Sequence, residues 1–359
     1  MKISILFIVF FVLPIFVSAQ KTTAPVRGTW ITNVGSNALT SEQNIKEAIR
    51  LCKNAGINNL YVVVWNNGET MYPSKVVEEY IGLKQSKIYG NRDPVKEIIK
   101  EGHKAGIKVH AWFEFGFSYN YGDSSCLWQQ RYPHWVGRDV KGNHLQKNKF
   151  FWWNALHPEV QDFMNKLVLE VVNNYNIDGI QGDDRLPAMP CEGGYDEVTK
   201  KIFADEHSGL VPPANSKDAA WVQWRADKLS TYLKQLYHLV KAAKPGCIIS
   251  WAPSIYPWSK EQYLQDWPAW LNGGYADYIF PQLYRYNIKE YKKIIDELNT
   301  QVTPEQKNKI VPGILTSLGD GYLIKRKMLK QMINYNRKNG YKGECTFYFE
   351  TLRHLGKYY

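Results

Sequence analysis

The chain has 359 residues, of which 44% are hydrophobic, 22% charged and 14% aromatic. That composition excludes a disordered or collagenous chain, and at about 150 residues per domain it allows two domains or one barrel. The formal charge is +11, but the lysines are scattered (Lys100, Lys104, Lys292, Lys293) and no run of five like charges occurs. The excess reads first as a solvated basic surface and second as affinity for an anionic glycan or envelope.

Met1–Ala19 has the three-part form of a secretory signal peptide: Lys2, the apolar run Ile3–Phe16, and the small residues Val17-Ser18-Ala19. The apolar run is short for a bilayer span. Cleavage there leaves residues 20–359 as one folded domain, periplasmic or secreted, with no stable membrane anchor. From Thr29 onward, β-rich runs alternate with longer helical segments. Strand Thr29–Asn33 precedes helix Ser41–Asn54, with Ser41 as N-cap and Gly56 just past the end. Strand Asn59–Trp65 is followed by helix Pro94–Ala105, and strand Lys108–Phe115 by helix Pro158–Tyr175. Strand Gly179–Asp184 leads to the long helix Lys217–Lys244, which Pro245-Gly246 stops. Then come strand Cys247–Pro253 and helix Lys260–Leu271, strand Asp277–Tyr284 and helix Lys289–Leu298, strand Ile310–Leu315 and helix Tyr322–Asn339, and strand Cys345–Glu350.

Eight strands alternating with helices predict an α/β fold, a single-domain (β/α)8 TIM barrel with a short or missing last helix. The rival is a doubly wound open sheet, but no Gly-rich dinucleotide fingerprint follows the first strand. Two long connections, Gly116–His157 and Arg185–Ser216, leave strand C-termini, the face where barrel active sites are built. The first is expected to hold a hairpin in which Trp135–Val140 and Phe150–Trp153 flank Lys141-Gly142-Asn143. The cysteines (52, 126, 191, 247, 345) are odd in number and lack metal-type spacing. Only Cys126 and Cys191, both in loops, are candidates for a bridge.

The strand C-termini carry Asn33, Trp65, Asn66, His110, Trp112, Glu114, Asp183, Asp184, Arg185, Ser250, Trp251, Ser254, Gln282, Tyr284, Arg285, Thr316 and Glu350. Paired carboxylates among aromatics are what sugar hydrolysis needs: one acid protonates the leaving oxygen, and the second attacks or activates water. Indole and phenol faces pack on pyranose C–H faces. In Asp178-Gly179-Ile180-Gln181-Gly182-Asp183-Asp184, two adjacent acids end an apolar strand, which is costly unless they are solvated or paired. A strand-end ion pair with Arg185 is the bland alternative, and Asp178 reads as a turn residue. Trp128, Trp135, Trp152, Trp153 and Trp258 fall in loops, where no core is expected. A metal site built from His110, Glu114 and the Asp pair lacks supporting spacing, so no metal or other cofactor is expected. Serine-hydrolase, nucleotide-binding and nucleic-acid motifs are absent from the sequence.

Arg27-Gly28-Thr29-Trp30, His110-Ala111-Trp112-Phe113-Glu114, Trp153-Asn154-Ala155-Leu156-His157-Pro158-Glu159-Val160, the Asp178–Asp184 run, Gln265-Asp266-Trp267 and Pro281-Gln282-Leu283-Tyr284 recur in order along the chain. In these motifs it resembles the bacterial glycosyl-hydrolase-like family ten. The resemblance implies an exported (β/α)8 glycosidase, and one branch of that family cleaves denuded peptidoglycan glycan strands. The Asp-Gly-x-x-x-Asp spacing is also similar to the strand-four motif of α-amylase-like barrels, which would make Asp183 the nucleophile. The chain departs from the family pattern at Arg185-Leu186-Pro187, where an aromatic-rich stretch is common. The expected protein is thus an exported glycoside hydrolase of an oligo- or polysaccharide, with Asp183 as main carboxylate. Asp184, Glu114 and Glu350 compete as acid/base, and alternation along the strand favours the latter two. Arg27, Trp65, His110, Trp112, Trp251, Gln282 and Tyr284 are expected to line subsites. The rivals are a carbohydrate-binding protein with a decayed site and a metal-dependent sugar deacetylase.

Overall fold

The computed structural model describes residues 24–356 except Ser124 and Asp320, so the signal segment Met1–Ala19 lies outside the described residues. Eight parallel strands form the central sheet: β1 (Arg27–Ile31), β2 (Asn59–Val63), β3 (Lys108–Phe113), β4 (Gly179–Gly182), β5 (Ile248–Trp251), β6 (Tyr278–Ile279), β7 (Gly313–Leu315) and β8 (Glu344–Phe347). Their spatial order is β6-β5-β4-β3-β2-β1-β8-β7. Parallel bridges Ile279–Ile310 and Gln282–Gly313 join the two ends. The sheet therefore closes on itself, which decides for the barrel over the open sheet.

A helix follows each strand: α1 (Glu42–Asn54), α2 (Pro94–Lys104), α3 (Pro158–Asn174), α4 (Ala219–Ala243), α5 (Trp267–Asn272), α6 (Ile288–Asn299), α7 (Arg326–Lys338) and the short α8 (Thr351–Leu355). Their starts are read locally. The side chains of Ser41, Asp93, Asp218 and Asn287 accept backbone N–H bonds at the N-termini of α1, α2, α4 and α6. Each thereby satisfies a donor the helix cannot. Among the described residues no helix is long and apolar enough to cross a membrane.

Alternation along the strands builds the interior in tiers. Trp30, Trp112, Gln181 and Phe280 form the middle tier; Trp30 Nε1 donates to Gln181 Oε1 at 2.6 Å, and its ring lies 6.4 Å from Trp112 and 6.2 Å from Phe280. Two residues further along the same strand faces come Thr32, Glu114, Asp183 and Gln282. The filled aromatic tier is thus the floor on which the polar mouth stands.

The long connections are ordered and differ in detail from expectation. The Lys141-Gly142-Asn143 turn closes between Arg138 and His144, and the expected flanking segments do meet, through the antiparallel bridge Val136–Trp153. Phe150–Trp152 pairs in addition with Ser118–Tyr121 and Gln146–Lys147, which the sequence did not suggest. The second connection contains a helix, Glu197–Glu206. The two connections are tied together by Lys147–Glu192 (3.0 Å) and by Asn154 Nδ2 donating to Asp196 (2.8 Å).

Trp128, Trp135, Trp152 and Trp153 are buried, contrary to the expectation that no core lies there. Trp128, Trp135 and Trp153 pack with Trp65, Tyr80 and Phe163 into an extension of the main core. Each indole removes roughly 200 Å² from water, worth about 5 kcal/mol, which offsets the ordering of a few loop residues around it at about 1–2 kcal/mol each. Only Trp258 of that group stays open, at 43%. All five cysteines are free thiols, so the Cys126–Cys191 bridge is not formed. Cys126 sits at the start of helix Leu127–Arg131, while Cys191 is buried where its carbonyl accepts from Arg225.

Candidate active site

Four strand ends deliver the polar mouth. Glu114 follows β3 and is 9% exposed; its Oε2 accepts from Thr32 Oγ1 (3.0 Å) and Asn66 Nδ2 (2.7 Å). Asn66 is aimed by a two-residue hairpin, Trp65–Asn66 against Glu69–Thr70, whose turn residues Asn67 and Gly68 both have positive φ. Asn-Gly suits that turn because both residues tolerate left-handed backbone. Asp183 follows β4 and is 5% exposed; its Oδ1 accepts from Gln282 Nε2 at 2.9 Å. Gln265 Nε2 in turn donates to the Asp183 carbonyl at 3.2 Å, which fixes the backbone there.

Arg185 stands between these groups. Its Nε donates to the Glu114 carbonyl (2.9 Å), one terminal nitrogen meets Asp184 Oδ1 (2.9 Å), and the other meets Asp183 Oδ2 (3.1 Å) and Glu114 Oε1 (3.9 Å). The guanidinium carbon lies 4.7 Å from the Phe150 ring and 5.2 Å from the Phe115 ring. Because one nitrogen reaches both carboxyls, those oxygens are at most about 7 Å apart, short of the upper end of the about 6.5–9.5 Å used by inverting pairs.

Burial raises the proton affinity of both acids. For Asp183, burial acts first, the Asp184 and Glu114 charges add to it, and Arg185 opposes it, so the pKa stands well above the ordinary carboxylate value. For Glu114, burial also acts first and Asp184 adds, while Arg185, Asn66 and Thr32 all oppose, so it too is raised. Tyr284 lies at the rim, its ring 5.5 Å from Phe347, and burial followed by the Asp183 charge keeps its hydroxyl protonated as a donor.

The structure brings together Asp183, Asp184, Glu114, Gln282 and Tyr284. Glu350 is elsewhere: its oxygens accept from Ser36 (2.6 Å) and Arg353 (2.7 Å), and it serves the start of α8. Arg27 lies at the opposite end of the barrel, at the first position of β1 and paired in register with Glu344. His110 is two tiers below the mouth, stacked on Tyr61 at 4.7 Å and bonded to Asn59 at 2.9 Å. Trp112 belongs to the floor. Trp65 donates to the Gly116 carbonyl (3.0 Å) inside the aromatic extension, and Trp251 donates to the Tyr275 carbonyl (3.0 Å) and packs on Trp270 of α5. All four are at most 2% exposed, so they support the site from within and present no face to a sugar. Thr32 carries no signal of its own in the sequence, although the two-residue step from inward Trp30 points to it. Among the described residues no group of three His, Cys, Asp or Glu side chains is placed to hold a metal ion.

Comparison with known proteins agrees with this frame. The chain is 26% identical over 309 residues to glycosyl hydrolase DigH of Escherichia coli K12, covering 74% of this chain and 67% of that protein. It is 25% identical over 330 residues to glycosyl hydrolase YngK of Bacillus subtilis, covering 80% and 60%. Among solved structures it is similar to the PgaB (BpsB) glycoside hydrolase domain from Bordetella bronchiseptica, with a TM-score of 0.68 at 13% identity, covering 93% and 99%. It is also similar to the catalytic domain of β-amylase from Paenibacillus polymyxa, with a TM-score of 0.62 at 12% identity, covering 91% and 92%. At such identities these two likenesses carry the barrel fold. The model of the glycosyl hydrolase-like 10 family matches residues 25–333, and the chain belongs to that family.

Proposed function

We propose that the protein hydrolyses glycosidic bonds of a polysaccharide with Asp183 and Glu114 as its two carboxyl groups. The observation that carries this is their convergence on one guanidinium nitrogen at the C-terminal mouth of the barrel. Hydrolysis adds water across the C–O bond: the leaving oxygen takes a proton from one carboxyl, and the other attacks the anomeric carbon or deprotonates water. Asp183, beside the Asp184 charge, is the better proton donor. Glu114, held by Thr32 and Asn66, is the better carboxylate. This reverses the roles suggested by the Asp-Gly spacing.

Gln282 and Tyr284 are the groups at the rim to bind sugar hydroxyls. Denuded peptidoglycan glycan strands are the substrate class implied by the family resemblance, and the charge of +11 favours an anionic strand. The signal segment supports action outside the cytoplasm. The test is to incubate the protein with denuded glycan strands and with plant and fungal glycans and to measure new reducing ends. Release by the parent and its loss in both Asp183→Asn and Glu114→Gln are expected. Binding without release by the parent would leave a carbohydrate-binding protein instead.

A further inference from the structure

We infer that Arg185 is a positioning residue that keeps Asp183 and Glu114 sharing one proton where two would otherwise bind, an inference that rests on the two-carboxylate reading above. Three carboxylates meet this single guanidinium: Asp183 and Glu114 share one terminal nitrogen and Asp184 takes the other. The cation is confined as well as paired, since the Phe115 and Phe150 rings flank it and its Nε is held by the Glu114 carbonyl.

Its backbone is fixed with equal care. Phe117 N–H donates to the Arg185 carbonyl at 2.9 Å, and Gly116, at φ +48°, leaves room for that carbonyl, which a Cβ would approach to 2.1 Å. The ends of β3 and β4 thus meet at the Arg185 backbone, which fixes the point from which its side chain reaches the pair. Besides the three carboxylates, Tyr263 faces the cation and carries Lys147 over its ring at 5.0 Å, while Tyr284 faces the acids themselves; neither phenol supplies positive charge. Lys147 itself is committed to Glu192 and Gln262. Arg185 is therefore the cation that opposes burial at the pair. Without it both acids take protons, and no carboxylate is left to attack or to activate water.

The experiment is the pH profile of kcat/KM for the parent, Arg185→Gln, Arg185→Lys and Asp184→Asn on whichever glycan the parent cleaves. Arg185→Gln is expected to move both limbs upward by about one pH unit or more, because an opposite charge at contact distance favours the ionised acid by that order. It should also lose at least tenfold in rate at the parent's optimum. Arg185→Lys, which keeps the charge but not the fork, should return the limbs towards the parent's while the rate stays low. Limbs of Arg185→Gln that coincide with the parent's, with only a common loss of rate, would overturn the inference and leave a structural ion pair. Asp184→Asn is the control for direct repulsion and moves both limbs down. Should Arg185→Gln not fold, Arg185→Lys decides: its single ammonium replaces the fork that serves three carboxylates, so both limbs should stay above the parent's, and limbs that coincide with the parent's count against the inference.

Infrared difference titration of the carboxylic-acid band, assigned with Asp183→Asn, reads the same protons without turnover. A parent that cleaves no glycan would sink the hydrolase reading, while the infrared comparison of parent and Arg185→Gln would still decide what Arg185 does.

Discussion

Asp183 and Glu114 differ in what surrounds them, and that difference is measurable. A proton donor matters most when the leaving oxygen is a poor leaving group, where its removal costs about 10²–10⁴ in rate. Asp183→Asn is therefore expected to lose about that factor on natural glycans and to keep most of the bond-breaking step on aryl glycosides of the same sugar. Glu114→Gln should lose both. The opposite pattern would make Glu114 the acid. His110 carries a second prediction, on stability. Burial pushes its pKa down to about 4, so between pH 6.5 and 4 the unfolded chain binds a proton that the folded chain refuses. Stability therefore falls as pH falls through that window, by about 3 kcal/mol in all. His110→Gln removes the titration, so the stability gap between parent and variant should narrow by that order from pH 7 to pH 4 in urea unfolding. An unchanged gap would place the acid sensitivity in other groups.

At the level of elements, the site depends on the contact between the ends of β3 and β4. Gly116→Ala places a side chain in left-handed backbone, costing about 1–2 kcal/mol, and drives its Cβ into the Arg185 carbonyl. A total loss of about 2 kcal/mol or more, together with loss of hydrolysis, is expected by denaturant unfolding and assay. Gly142→Ala is the matched control: φ is also positive at +81°, but nothing lies within 4 Å of the added carbon. It should show only the smaller conformational loss, with activity intact. Equal losses in the two variants would mean that the β3–β4 contact is not what Gly116 protects.

Over the whole molecule, the charge of +11 sets the scale for binding an acidic polymer. Exposed charges are screened within about 10 Å at 0.1 M salt. Affinity for denuded, acidic glycan strands should therefore weaken several-fold between low and moderate salt, while affinity for a neutral glycan stays level. Titration calorimetry at two ionic strengths checks this. Salt-independent binding of the acidic strands would reduce the basic excess to a matter of solubility. The connections after β3 and β4 are tied to each other by Lys147–Glu192 and Asn154–Asp196, so truncating either should disturb the other.

Much of the barrel was legible in the residues because its signals are local. Ser41 and Pro158 mark helix starts through groups within one turn, and apolar runs such as Asn59–Trp65 mark strands by composition and period. Closure of the sheet was implied by the number of alternating units, and Asp183, Glu114 and Gln282 by their place after a strand. What a side chain faces was not legible, because that depends on strands brought together from far along the chain. Trp112 and Glu114 share one strand face, yet the first is floor and the second is mouth, a difference set by which tier the neighbouring strands place beside each. Trp65 and Trp251 end strands as plausibly as Gln282 does, but the loop aromatics and α5 cover them. Glu350 was as good a candidate as Glu114 until Arg353 and Ser36 claimed it. The residues by themselves determined the elements and the acids available to the mouth. Only the tertiary structure decided which two acids meet, because burial and a shared guanidinium are properties of the assembled barrel and not of any segment.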